Sequence, residues 1–349
     1  MKLSEFDYDL PSSLIAQVPL PERDQSRLMV LHRHKRVIEH KRFSEIVGYL
    51  RRGDALVLND SKVIAARLLG ASPHRGDKHA KGEVLLLEQA ATNLWECLVK
   101  PAKKFRPGSQ IFFRDHGLVA EVVADTPFRS KIVRFRCKGD VRHLLSEIGS
   151  VPLPPYIKRK KSLPIDRERY QTVFASKDGS VAAPTAGLHF TERVLSEIGE
   201  KGVEVRLVTL HVGLGTFQPV RVQEVERHNM HAEWFSIGNK TAQALNHARR
   251  RGGRIVAVGT TTARVLEAAA RDDGTIRQMS GKTDLFIYPG YTFKALGDGS
   301  LLTNFHLPKS SLLMLTCAFA GKDFVLDAYR EAIRMKYRFY SYGDAMLIL

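Results

Sequence analysis

The period of the hydrophobic pattern changes twice along this chain, and that double change constrains the fold more than any single motif. Between about Leu69 and Ser150, short segments of strand composition follow one another, broken by Gly, Pro and Asp: Glu83 to Glu88, Trp95 to Lys100, Gln110 to Phe113, Leu118 to Ala124 and Lys131 to Cys137. Such spacing is that of a small barrel or sandwich. Upstream, Ser26 to Leu31 and Lys35 to His40 read as a pair of strands. Phe43, Ile46, Val47 and Leu50 then give a helix over Ser44 to Arg51 one apolar face, and Ala55 to Leu58 forms a short buried strand. Downstream, Val151-Pro-Leu-Pro-Pro-Tyr156 is too rich in proline for a helix or a central strand and marks a boundary.

The rest alternates: strand Glu204 to Leu210, helix Lys240 to Arg251, strand Arg254 to Val258, helix Ala263 to Ala270, strand Asp284 to Ile287 and helix Ser310 to Ala320. Alternation of this kind is the α/β signature. The expected architecture is a discontinuous α/β main domain, residues 1–68 and 151–349, with a small all-β barrel-like domain inserted at 69–150. A chain of 349 residues suits two domains of roughly 100–200 residues each.

Charge narrows the partner. Lys and Arg total 54 against 37 Asp and Glu, a net charge of +17 with a pI near 9.8. A field of that sign attracts polyanions, with nucleic acid ahead of an anionic membrane surface. No apolar run approaches the ~20 residues of a bilayer helix. The first ten residues carry Glu5, Asp7 and Asp9 rather than a basic and apolar leader, and Cys97, Cys137 and Cys317 lie far apart with no C-x-x-C pair. A cytoplasmic protein without disulfides or a thiolate metal site is expected.

Polar, glycine-rich turns recur at the ends of the expected strands. Asn59 and Asp60 follow a buried strand at its carboxyl end, where open α/β sheets place ligand-contacting groups. Ala182 to Phe190, with Thr185, Gly187 and His189, leads into a helix near Thr191; it reads as an anion site, or more simply as an N-cap beside a core histidine. His211-Val-Gly-Leu-Gly-Thr-Phe217 contributes Gly213, Gly215 and Thr216, and a lone G-x-G also serves tight turns. His228, His231 and Glu233 form a short group with titratable side chains, better suited to acid/base work or hydrogen bonding than to zinc because no fourth donor is evident. Thr260, Thr261 and Arg264 sit where a helix begins, and fit either a carboxylate or phosphate or plain capping. Lys158, Arg159, Lys160 and Lys161 fit a phosphate backbone or a solvated loop equally well.

Taken in order, these motifs resemble the S-adenosylmethionine:tRNA ribosyltransferase-isomerase family of the queuosine pathway over nearly the whole chain. The resemblance is carried by Phe6-Asp-Tyr-Asp-Leu-Pro11, Leu58-Asn-Asp60 with Arg67, Val151 to Tyr156, Tyr170-Gln-Thr172, Ala183 to Phe190, Thr209 to Phe217, His228 to Glu233, Val258-Gly-Thr-Thr261, Ile287-Tyr-Pro-Gly290, Thr303-Asn-Phe-His-Leu-Pro308 and Tyr337 to Met346. The chain departs from the family pattern in a longer, more basic loop at Ser72 to Ala80 and a lengthened turn at Gly297 to Gly299.

The resemblance implies transfer and isomerisation of the ribosyl part of S-adenosylmethionine onto the 7-aminomethyl-7-deazaguanine at the tRNA wobble position. Epoxyqueuosine-tRNA, adenine and methionine would be the products. The sulfonium acidifies the C5′ hydrogens, so the chemistry asks for acids, bases and water exclusion, and S-adenosylmethionine is consumed as a substrate with no cofactor or metal. On this reading His189, His211, His231 and His306 are candidates for proton transfer, with Asp60 near the sulfonium. Asn59, Asp60 and Asp344 would bind sugar hydroxyls or the adenine edge. Arg264 with Thr260 and Thr261 would hold the methionine carboxylate or an anticodon phosphate. Arg67, Thr185, Gly187, Gly213, Gly215, Thr216 and Asn304 complete the expected substrate site. Lys158 to Lys161 and Tyr342 would meet the tRNA, whose target base is splayed out and stacked on an aromatic ring. A monomer is expected. The rivals are an RNA methyltransferase using the same donor and a tRNA-binding protein without catalysis.

Overall fold

The computed structural model describes residues 1–72, 80–113, 116–127, 130–159, 163–213 and 220–349. The chain opens with strands β1 (Arg27–His32) and β2 (Val37–Arg42). Their turn takes Arg36 through φ 53, so the second strand begins later than Lys35. The helix expected over Ser44 to Arg51 is a 3-10 helix, Phe43–Tyr49. Phe43 and Ile46 are its buried residues, and a three-residue spacing stacks them on one side of a three-fold turn.

Strands β3 (Ala55–Asn59) and β4 (Ser61–Val63) lead into β5 (Arg67–Ser72), β6 (Ala80–Ala91), β7 (Leu94–Lys100), β8 (Gln110–Phe113), β9 (Leu118–Asp125) and β10 (Lys131–Arg136). These last six close into an antiparallel barrel in the order β10-β7-β6-β5-β8-β9. Alternation builds its core: Trp95, Cys97 and Val99 from β7 meet Leu118, Ala120 and Val122 from β9 and Val133 and Phe135 from β10. Helix α1 (Val141–Ile148), capped by Asp140, adds Val141 and Leu145 to that cluster.

After the barrel come α2 (Asp166–Arg169), β11 (Lys177–Ser180), α3 (Glu192–Glu200), β12 (Glu204–Leu210), β13 (Glu233–Ile237) and α4 (Asn239–Arg250). They are followed by β14 (Ile255–Val258), α5 (Thr260–Ala269), β15 (Met279–Thr283), β16 (Ser300–Asn304), α6 (Ser311–Ala320), α7 (Lys322–Arg334) and β17 (Ala345–Ile348). The large sheet has nine strands in the order β15-β13-β12-β3-β14-β16-β17-β1-β2. Its centre, β12-β3-β14-β16, is parallel, whereas β13, β15 and β2 add antiparallel edges and β17 runs against β16. The sheet is therefore mixed rather than wholly parallel. The central strand β3 is buried along its entire length, as a strand covered on both faces must be.

Two expectations need correcting. The strand placed at Asp284 to Ile287 is one segment earlier, Met279–Thr283. The Leu285 backbone serves side chains instead of a ladder: its N–H donates to Thr283 Oγ1 and its carbonyl accepts from Arg264 Nε. Helix α5 starts at Thr260, not Ala263, because Gly259 at φ 89 turns the chain tightly enough to put all three threonines in the first turn.

Barrel and sheet are joined by two strands of chain that pass side by side. Arg67 and Ser150 exchange backbone hydrogen bonds of 3.1 and 2.9 Å. Next to them Gly149 lies so close to the Ala65 carbonyl that a Cβ there would come to 2.0 Å from the oxygen. Gly149→Ala is expected to cost about 1–3 kcal/mol, the range of a forced backbone shift. Urea melts of the variant beside the wild type check this.

Candidate active site

The carboxyl ends of β3, β14 and β16 converge on one opening, because parallel strands point their last residues the same way. A pocket of about 820 Å³, partly open to solvent, lies there, lined by Thr185, Thr260, Thr261, Asn304, His306 and Tyr340 among others. Two buried asparagines frame it. Asn59 Oδ1 accepts from the N–H groups of Ser61 (3.1 Å) and Leu210 (3.0 Å), while Nδ2 donates to the Leu210 carbonyl (3.0 Å) and Thr261 Oγ1 (3.2 Å). Asn304 Oδ1 accepts from Thr185 Oγ1 (3.2 Å), and its Nδ2 faces the Tyr340 carbonyl (3.2 Å) and His189 Nε2 (3.1 Å).

Those contacts settle the state of His189. An amide that donates to a carbonyl presents its other hydrogen to Nε2, so Nε2 accepts and the ring's proton sits on Nδ1, donated to Ser26 Oγ at 2.7 Å. Burial, then the nearby Arg23 and Arg338 cations, bring its pKa down to about 3. His189 is neutral, stacked on Phe43 and satisfied at both nitrogens. His306 is also neutral, its pKa lowered to about 3 by burial alone. Its Nε2 lies 2.7 Å from Thr303 Oγ1, whose side chain is 1% exposed. Among the described residues that hydroxyl has no other acceptor, so it donates to Nε2 and leaves the imidazole proton on Nδ1. The backbone of His306 is pinned by Tyr329 and Tyr8, whose hydroxyls take its N–H and meet its carbonyl.

A second, open cleft of about 2600 Å³ runs between barrel and sheet, with Trp95, Glu96 and Arg142 on one side and Lys62, His211 and His231 on the other. His211 Nδ1 lies 2.8 Å from Ser61 Oγ, its ring stacks on Trp234 at 5.1 Å, and burial lowers its pKa against the opposing pull of Asp60 and Asp178. Gly179 makes room for that ring, since a Cβ there would stand 2.8 Å from Nε2. Val212 lines both cavities.

Not every expected site residue reaches a cavity as a free group. Asp60 accepts from Thr209 Oγ1 (2.6 Å) and Ser176 Oγ (2.9 Å), and Asp344 from the N–H groups of Arg27 and Arg338. Arg264 is buried, paired with Glu233 and donating to the carbonyls of Leu285 and Thr283, so its guanidinium is already neutralised. Glu233 also receives the Gly213 N–H at 2.8 Å, and His228 packs edge-on to Phe286. Among the described residues no His, Cys, Asp and Glu group is arranged to hold a metal. Gly187 is a packing glycine, its missing Cβ facing Thr172 and Phe174. Arg67 lies on the barrel, bonded to Glu83 at 2.8 Å. Lys158 is exposed, Arg159 pairs with buried Asp166 at 2.6 Å, and Tyr342 is buried with its hydroxyl 3.1 Å from Asp166. Gly215, Thr216, Lys160 and Lys161 lie outside the described residues. Tyr156 and Tyr340, whose tilted rings lie 4.1 Å apart, line the pocket; both fall in segments that carry the resemblance, but neither was named as a site residue from sequence. Tyr340 holds φ 75, a strained conformation for a bulky side chain, and no local pattern announces it.

Fold and site together define a mixed α/β protein with a closed barrel, a pocket at its strand ends and an open cleft alongside. Within that class, the chain belongs to the queuosine biosynthesis protein family, whose sequence model matches residues 3–348. It is 52% identical to the S-adenosylmethionine:tRNA ribosyltransferase-isomerase of Symbiobacterium thermophilum and 53% to that of Halothermothrix orenii, over 100% of each chain. The solved S-adenosylmethionine tRNA ribosyltransferase of Thermotoga maritima is 42% identical, with a TM-score of 0.56 over 99% of this chain and 100% of that one.

The buried neutral imidazoles tie stability to pH. The unfolded chain protonates His189 and His306 below about pH 6.5, the folded chain only near pH 3, so the unfolded state binds more protons and stability falls on acidification. Each ring contributes about 1.4 kcal/mol per pH unit between pH 6 and pH 4. Denaturant melts across that window should show His306→Asn losing one ring's share of the slope.

Proposed function

We propose that this chain is an S-adenosylmethionine:tRNA ribosyltransferase-isomerase, with the donor in the pocket at the strand ends and the anticodon loop in the open cleft. One observation carries the assignment of cavities: Val212 lines both, with His306 in the pocket and His211, next in sequence to Val212, in the cleft. An extruded aminomethyl-deazaguanine beside Trp234 and His211 would approach the ribose across a single side chain. The family membership and full-length relatives at 50–53% identity support the reaction.

The roles follow from the states of the side chains. A neutral His306 with its proton on Nδ1 supplies a hydrogen bond to negative charge developing on the opened ribose; it does not take the C5′ proton. Half-buried His211 is the group suited to proton exchange with the incoming amine. His189 holds Asn304 and is a positioning residue. Thr261, held from behind by Asn59, forms the pocket floor, and the paired rings of Tyr156 and Tyr340 offer π faces to the sulfonium. The sequence of elimination, addition and ring closure is redox-neutral, and S-adenosylmethionine enters as a consumed substrate.

The same reading divides the chain into a body and an insertion, expected at 69–150 although barrel strand β5 already begins at Arg67, acting as a cytoplasmic monomer. No helix among the described residues is long and apolar enough to cross a membrane. Given donor and deazaguanine-bearing tRNA, the purified protein should release adenine and methionine; release of S-adenosylhomocysteine would instead mark a methyltransferase. His306→Ala should lose about 10²–10³ in turnover, the cost of a lost charge-stabilising donor. His306→Asn, which restores a donor near Nδ1, should recover most of it, and equal loss in both would refute the donor role. His211→Ala should abolish turnover with tRNA affinity nearly intact.

A further inference from the structure

Beside the donor pocket, across Ser341, is a separate hollow of about 290 Å³ lined by Arg23, Ser26, Arg169, His189, Ser341 and Tyr342 among others. Its charge balance sets it apart. Arg169 is 9% exposed; Nη1 and Nη2 donate to the carbonyls of Pro21 (2.8 Å) and Leu20 (2.7 Å), and its buried Nε has no hydrogen-bond partner. Among the described residues Arg23 donates to the carbonyls of Leu188 (3.2 Å) and Glu168 (3.0 Å) alone. Arg338, whose charge acts on His189 at the hollow's wall, donates Nη2 to the Val18 carbonyl and keeps a buried Nη1 without a partner.

Among the described residues no carboxylate hydrogen-bonds to any of these three guanidiniums. The nearby Asp166 is taken by Arg159, Tyr342 and the Leu163 N–H, and the Asp344 carboxylate by Arg27 and the backbone of Arg338. Asp344 thus reaches the Arg338 guanidinium only through its charge, whereas Arg23 and Arg169 have no such neighbour bonded to them among the described residues. Burial and then the Arg169 cation lower the Arg23 pKa, with Glu168 and Tyr342 pulling the other way. Backbone carbonyls solvate a guanidinium but do not cancel its charge. Buried cations are normally matched by an anion, because an unmatched one costs several kcal/mol. Among the described residues no side chain supplies that anion to Arg23 or Arg169 by a hydrogen bond, and guanidiniums held only by carbonyls suit an oxyanion.

We propose that this hollow is an oxyanion site, which takes either a phosphate of the RNA backbone or the methionine carboxylate of the donor. The choice between those sources rests on the function proposed above; the site itself does not. Its position across Ser341 from the donor pocket puts it within reach of either.

The test uses the full chain and inorganic phosphate. Wild type, Arg23→Gln and Arg169→Gln are melted in phosphate and in chloride at equal ionic strength; glutamine keeps an amide donor for the carbonyls and removes the charge. Phosphate should raise the wild-type Tm and leave the variants' Tm unmoved. Arg23 is half-buried, so Arg23→Gln provides a folded variant should Arg169→Gln unfold. Affinities of Arg23→Gln for an anticodon stem-loop and for S-adenosylmethionine then separate the sources. A loss of roughly tenfold or more for RNA alone identifies the backbone phosphate, and for the donor alone the carboxylate, as expected for one charge-assisted hydrogen bond. An equal phosphate response in wild type and variants, or unchanged affinity for both ligands, overturns the proposal. The thermal readout needs no turnover, so a failure to release adenine would sink the reaction assigned above and leave this site standing.

Discussion

One buried amide decides where the pocket is. Asn59 ends β3 with all of its side-chain hydrogen-bonding groups engaged, binding both backbone groups of Leu210 at the end of β12 and the hydroxyl of Thr261 at the start of α5. Three chain segments far apart in sequence are thereby stopped at one level. A hydrophobic residue there would leave the Leu210 N–H and carbonyl buried and unpaired, at about 1–3 kcal/mol for each group. The pocket floor depends on that stop, because the threonines of α5 line the cavity only if the helix begins immediately beyond β14.

Asn304 does the same on the other side of β14, at the end of β16. It binds Thr185 and His189 from one segment and the carbonyl of Tyr340 from another. The 185–189 turn and the C-terminal tail are thus tied to a sheet strand by a single side chain. The tail itself is held by Asp344, which receives the N–H groups of Arg27 and Arg338. Residues that the family resemblance singled out as ligand contacts are here engaged internally. Their effect on a ligand would be to set the level and orientation of the groups that do face it.

This explains how much was legible in the sequence. The barrel was, since alternation in Trp95 to Lys100 and Leu118 to Ala124 depends on neighbours two residues away, which a linear pattern displays. The α/β alternation was too, and so were the glycine and threonine turns at strand ends. The start of α5 was not, because three threonines read as a cap until Gly259 supplies the tight turn. Nor was the division of the histidines: His189, His211 and His306 are alike in sequence, and only burial, Asn304 and Thr303 make two of them neutral and enclosed. The Arg23, Arg169 and Arg338 group is equally silent, assembled by folding from segments over 140 residues apart.

The separation of charge between neighbouring cavities has a chemical logic under the proposed function. A sulfonium carries a positive charge, and a protonated imidazole or a free guanidinium beside it would repel it at low local dielectric. The pocket holds neither: His306 is neutral, and Arg264 beneath its floor is cancelled by Glu233. The uncompensated arginines are instead one wall away, behind Ser341, where they can attract an anion without opposing the donor cation. Deep burial therefore acts in two ways, keeping His306 in the pocket and His189 in the hollow neutral while leaving guanidinium, which does not lose its proton, to be matched from outside. Leaving arginine out of the pocket that holds His306, and placing it beside neutral His189 in the neighbouring hollow, is how the same degree of burial yields a neutral pocket next to a cationic one.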